Sequence, residues 1–176
     1  MTVRTPISSR IRHGFVAPLE SRRSWLPFQL IGTAGERRGN DVYMRLGQQG
    51  HVIFGPYVVL PPGRYCATLE LEVPQDEVAC ASADAPLVFE IVSGDHFLAQ
   101  REIAWSEVSN RRHALEFEVT PQTVYNGHSY RTEARLWTRG QVSAFIHAVE
   151  LETLSDLSEE PSKADKLDKV ASQVLS

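Results

Sequence analysis

The chain is 176 residues long, 42% hydrophobic and 23% charged, with a formal net charge of −4. That is enough for one domain with a full core and too little for two, and an acidic balance argues against nucleic acid as the main partner, because neutralising phosphates needs a basic surface. No apolar run approaches the roughly 20 residues of a membrane-spanning helix, and the opening MTVRTPISSRIRHGF has arginines but no apolar stretch of the secretory kind.

Residues 1–24 carry Arg4, Arg10, Arg12, Arg22 and Arg23 against a single acid, Glu20. They read as a solvated, arginine-rich arm, since charge runs are usually solvated; an arm that touches an acidic partner is the alternative. Trp25 to Ile31 is the first strand-like segment, with Pro27 confining it to an edge. Gly32 to Asn40 reads as a loop by its glycines, Asp41 to Leu46 as a short strand, and Gly47 to Gly50 as a turn.

His51 to Val73 carries the densest β signal. Val52 to Leu60 and Tyr65 to Val73 read as the two arms of a central hairpin closed by Pro61-Pro62-Gly63, where proline presets φ and glycine accepts the position after it. In the second arm Leu69, Leu71 and Val73 alternate with Thr68, Glu70 and Glu72, the pattern of a strand with one buried and one wet face. Cys66 falls on the wet face and Cys80 in the polar loop that follows. Two thiols without a secretion signal are most simply reduced and cytosolic, which places the protein in the cytoplasm.

Leu87 to Val92 and Phe97 to Ile103 flank the turn Ser93-Gly94-Asp95-His96 and predict a hairpin. Leu115, Phe117 and Val119 alternate with Glu116 and Glu118. Tyr130 to Thr138 places Ala134 and Leu136 on one face and Glu133, Arg135 and Trp137 on the other. Val142 to Leu154 forms a last long strand. Eight to nine short strands separated by turns, with no helical period among them, predict an all-β fold: an antiparallel β-sandwich of jelly-roll type spanning residues 25–154. The tail, residues 155–176, reads as an acidic linker followed by a short C-terminal helix. Leu167, Val170, Ala171, Val174 and Leu175 form its apolar stripe.

Catalytic signatures are absent. There is no G-x-S-x-G elbow, phosphate-binding glycine loop, dinucleotide fingerprint or H-E-x-x-H. The six histidines are scattered without ligand spacing, so no metal and no cofactor is expected. Glu70, Glu72, Glu90, Glu116, Glu118 and Glu133 all fall on predicted wet faces and read as solubilising charge. Trp137 calls for a reason, because a tryptophan on the wet side of a sheet exposes a largely apolar ring. Either another element covers it, or it offers a stacking surface beside Arg135 and Glu133.

Phe54-Gly55-Pro56-Tyr57 followed by Leu60-Pro61-Pro62-Gly63-Arg64-Tyr65 resembles the G-P-Y…L-x-x-G-x-Y signature of bacterial carbohydrate-binding-module-like β-sandwiches found beside glycosyltransferases. Phe89 to Val92 with Gly94 and Leu98-Ala99 resembles that family's next hairpin. Glu133 to Leu136 with Gly140, and then Val149 to Leu151, resembles its closing strands. The likeness runs from Trp25 to Leu154. It implies a non-catalytic, lectin-like module that binds a polysaccharide or glycan intermediate and serves a glycosyltransferase in trans. The expected carbohydrate site comprises Trp137, Arg135 and Glu133, with Trp105, Tyr130 and His128 from nearby loops. The alternative is an assembly module that contacts a partner or a second copy through the C-terminal helix.

Overall fold

The computed structural model describes residues 22–74, 85–120 and 131–156. Among these residues eleven strands make two antiparallel sheets packed face to face, a β-sandwich of jelly-roll type. The six-stranded sheet runs β3 (Gly35–Arg38), β4 (Asp41–Met44), β11 (Ala144–Asp156), β6 (Gly63–Glu72), β9 (Arg112–Val119), with β1 (Arg22–Ser24) beside β4 on the same edge of β11. The five-stranded sheet runs β2 (Leu30–Ile31), β5 (Gly50–Phe54), β10 (Thr132–Thr138), β7 (Leu87–Ser93), β8 (His96–Ile103). The predicted C-terminal helix, with its role in assembly, and most of the N-terminal arm lie outside the described residues, as does Cys80.

The period-2 pattern decides which side chains enter the core. Along β6, Tyr65, Ala67, Leu69 and Leu71 are buried, while Arg64 and Glu72 are exposed. From the opposite sheet Ile53, Phe89, Ile91, Ala134 and Leu136 meet them, all fully buried. On the outer face of the larger sheet, Glu70 accepts from Arg111 Nε at 2.8 Å and Glu116 from Arg64 at 3.3 Å. Pairs this exposed contribute about 0–1 kcal/mol each, so these glutamates are solubilising charge, as read from the sequence.

Three sequence expectations change. The stretch His51 to Val73 is not a hairpin: β5 belongs to the smaller sheet and β6 to the larger, and residues 55–62 carry the chain across from one to the other. Prolines 56, 61 and 62 lack the amide donors a ladder requires, which suits a crossover. It contains a cis Gly55–Pro56 peptide and returns to β10 through paired Val58–Thr132 amides, at 2.9 and 2.6 Å. Tyr65 Oη anchors its far end on the Pro61 carbonyl at 2.7 Å. Second, Leu26–Phe28 is a 3₁₀ turn rather than strand, because Pro27 at its start needs no amide partner there. Third, the glycine-rich stretch predicted as loop contains β3, an edge strand paired with β4.

Candidate functional site

Ala134 and Leu136 face the core, so Glu133, Arg135 and Trp137 share the outer face of the smaller sheet, as the alternation predicted. The register fixes their neighbours. Across the β10–β7 ladder Glu133 stands opposite Val92, Arg135 opposite Glu90 and Trp137 opposite Val88. One strand further, Val92 meets Phe97, Glu90 meets Gln100 and Val88 meets Glu102. On the other flank β5 sets His51 opposite Trp137. Side chains directly opposite on one face are about 4.5–5.5 Å apart at Cβ, so these residues form one continuous surface.

This face is not the wet face read from the sequence. Glu133 is only 4% exposed, and Arg135 donates a short hydrogen bond from its guanidinium to Glu133 Oε1. Glu133 Oε2 is buried and, among the described residues, receives no hydrogen bond of ordinary length, the Tyr57 phenol being the donor that faces this carboxyl. The cover comes from the crossover, whose Gly55 carbonyl accepts from the Ala134 amide at 2.8 Å and whose Val58 pairs with Thr132. Between these points Tyr57 sits at φ +63°, the left-handed region that bulky side chains rarely adopt. Its phenol is held above the ordinary tyrosine range by burial first, then by the charge of Glu133 and a side-chain hydrogen bond with it.

Glu90 is the second carboxyl of the face. It lies between Val88 and Val92, which are buried outside the core between the sheets. Burial raises its carboxyl above the ordinary 4.5, partly offset by the positive charge of Arg135 and then His51. The same bond to Glu133 pushes the Arg135 guanidinium further up, so it stays charged. Trp137 is half-buried, with the Arg139 guanidinium 5.6 Å from the centre of its ring. Phe97 is 63% exposed at the rim, and the His51 ring lies edge-on to Phe54 at 6.3 Å.

Of the residues expected from sequence, Trp137, Arg135 and Glu133 come together here. Trp105 does not join them; it packs against the core from the turn after β8. Tyr130 and His128 lie outside the described residues. Sequence reasoning missed Glu90, Tyr57, His51, Val88 and Val92 as parts of the site. A signal for Glu90 was present: a lone acid within the run Leu87-Val88-Phe89-Glu90-Ile91-Val92, apolar on both faces, marks a strand covered on both sides. Among the described residues no group of three His, Cys, Asp or Glu side chains is placed to hold a metal ion. Nor is any helix among them long and apolar enough to cross a membrane.

No known family matches the chain, and no curated protein does. Among solved structures it is similar to a cyclase from Fischerella sp. TAU in complex with 4-(1H-indol-3-yl)butan-2-one, at 18% identity and a TM-score of 0.47, covering 73% of each chain. It is also similar to the Stig cyclase Fisc from Fischerella sp. TAU, at 17% identity and a TM-score of 0.45, covering 66% of this chain and 64% of that one. A third, the apo form of a cyclase from Fischerella sp., has 16% identity and a TM-score of 0.45, covering 63% of this chain and 61% of that one. The chain thus spans less than two thirds of the apo cyclase and of Fisc.

These neighbours are enzymes and not carbohydrate-binding modules, which corrects the expectation of a non-catalytic, lectin-like module beside a glycosyltransferase. The geometry gives a physical reason for the same correction. Glu133 is sunk into the face and committed to Arg135, and Arg139 already stands over Trp137, so the open stacking ring with free polar neighbours is not there. At this identity and TM-score the likeness assigns no activity to this chain.

Proposed function

We propose that the outer face of the five-stranded sheet binds a small organic molecule and can exchange a proton with it. One observation carries this reading: two carboxyls on one face stand in opposite environments. Glu133 is buried, bonded to Arg135 and faced by the Tyr57 phenol. Glu90, directly across from Arg135 and flanked by two valines, is raised by burial toward its neutral form. A carboxyl pushed toward its neutral form by burial, beside a charged partner, is a usual mark of an acid–base role. In this arrangement Glu133 and Arg135 form the fixed floor of the site, and Glu90 gives or takes the proton. Tyr57 closes the rim as a phenol donor, and Trp137, Val88 and Phe97 supply the apolar wall that small-molecule sites require.

A fragment screen by heteronuclear NMR on the full chain tests it, with the three tryptophan indole signals assigned by substitution. Hits that shift the Trp137 indole together with the Glu133 and Val92 amides, leaving Trp25 and Trp105 unmoved, support the reading. Hits that gather on the other sheet, or a screen without any hit on this face, would contradict it.

A further inference from the structure

β8 is the edge of the smaller sheet and β9 the edge of the larger, and one side chain ties the two edges together. Arg101 of β8 donates from Nη1 to the Ala114 carbonyl of β9 at 2.9 Å and from Nη2 to Glu107 Oε1 at 2.8 Å. Glu107 lies in residues 104–110, the turn that joins the two strands, and its Oε2 accepts from the Ala104 amide at 3.4 Å. Within the turn the Val108 amide bonds the Ala104 carbonyl and the Asn110 amide the Glu107 carbonyl, while Val108 and Trp105 pack on the core. We infer that His113 makes this seam a proton-operated latch: a protonated His113 competes with Arg101 for Glu107 and releases the turn from the β9 edge.

The first ground is position and surroundings. His113 is fully buried on β9, with Leu69 of β6 directly opposite and its ring bonded to the Asn110 backbone. A charge placed there is cut off from water and needs a partner. Two charged groups face the ring, Arg101 from β8 and Glu107 from the turn, while β6 offers the apolar Leu69 and Leu71. The remaining charges nearby are on the outer face and paired there, Arg111 with Glu70 at 2.8 Å and Arg112 with Glu150 at 3.2 Å. Glu107 is therefore the one acid facing His113 among the described residues, and both its oxygens already accept. A neutral imidazole leaves the clamp intact. An imidazolium puts a second cation beside Arg101 with a single carboxylate to share, and the bond to Ala114 depends on Arg101 staying where it is.

The second ground is linkage. Burial holds the closed imidazole below the ordinary 6.5, whereas an opened seam wets it. Below 6.5 the open form therefore takes up the proton more readily, and the balance shifts toward it by at most about tenfold per pH unit. Glu107 does not titrate in the same range, because the bond from Arg101, and then that from Ala104, hold its carboxyl below the ordinary 4.5. The change in charge within the seam belongs to His113.

Hydrogen exchange on the full chain at about pH 7 and about pH 5 tests the latch, each rate divided by that of an unstructured amide at the same pH. The Val108 and Asn110 amides should lose about tenfold in protection at the lower pH, while the Thr132 and Ala134 amides of β10 keep theirs. His113→Leu should make the turn's protection independent of pH. Arg101→Gln frees Glu107 to take the imidazolium, so it should lower protection at pH near 7 and abolish the further loss on acidification. An arginine with a merely structural role would lower protection and leave the acid loss unchanged. That last result would overturn the inference. So would full protection of the turn at the lower pH, a loss shared equally by β10, or a loss that persists in His113→Leu.

Discussion

Glu133 and Arg135 are two residues apart on β10 and bonded side chain to side chain, with the carboxylate almost wholly buried and the guanidinium about a quarter exposed. An ion pair this deep costs most when it is half removed. Arg135→Met leaves Glu133 buried without its partner and is expected to destabilise the fold by about 3 kcal/mol or more. The double substitution Glu133→Leu/Arg135→Met should recover most of that loss, since replacing both partners removes the buried charge. Urea denaturation of the single and double variants reads both. Equal losses in the two would mean that the pair is not coupled.

Glu90 gives the same face a dependence on pH. Its carboxyl is raised in the folded state, so the folded chain holds a proton that the unfolded chain has released. The stability this contributes is present below the ordinary 4.5 and is lost as pH rises through the raised folded value. Glu90→Gln should flatten that fall in the denaturation midpoint just above pH 4.5. A slope unchanged in the variant would place its origin elsewhere.

His113 acts with the opposite slope. It is fully buried on β9, and burial holds its imidazole below the ordinary 6.5. As pH falls below 6.5 the unfolded chain takes up a proton that the folded chain refuses, so stability declines until the folded imidazole itself titrates. His113→Leu should remove this decline, at a cost of about 1 kcal/mol at neutral pH for the bond between its ring and the Asn110 backbone. Midpoints compared between about pH 5 and 7 decide it; an equally steep decline in the variant would contradict the assignment.

Gly32 holds the edge of the smaller sheet against the strand that presents His51. A Cβ there would stand 2.0 Å from the His51 carbonyl oxygen, a backbone atom that cannot move without shifting β5. Gly32→Ala is expected to cost about 3 kcal/mol, the upper end for overpacking. Gly39, in the left-handed region at φ +63° with open space around it, should lose only about 1 kcal/mol on the same change. Thermal unfolding of the two variants tests the order, and a reversed order would contradict it.

The two-residue period made much of this architecture legible. It placed Leu69 and Leu71 inside, Glu70 and Glu72 outside, and Glu133, Arg135 and Trp137 on a common face. It could not say which sheet a strand joins, because β5 and β6 alternate alike whether they pair with each other or with strands far along the chain. Pro61-Pro62-Gly63 fits a tight turn and a crossover equally well by local chemistry. The burial of Glu133 escaped for a related reason: its cover is the segment around Tyr57, distant in sequence and brought over β10 only by the Val58–Thr132 pairing. Glu90 was misread as surface charge because alternation alone ignores that the residues two away on its own face are valines.

A small molecule is expected on the outer face built by Glu133, Arg135, Glu90 and Trp137. A crystal structure with the tightest fragment from the NMR screen tests it most directly. The fragment should lie over Val88 and Trp137 with a polar atom within about 3 Å of the Glu90 carboxyl, a normal hydrogen-bond distance. A fragment seated on the larger sheet, away from Glu90, would contradict that placement.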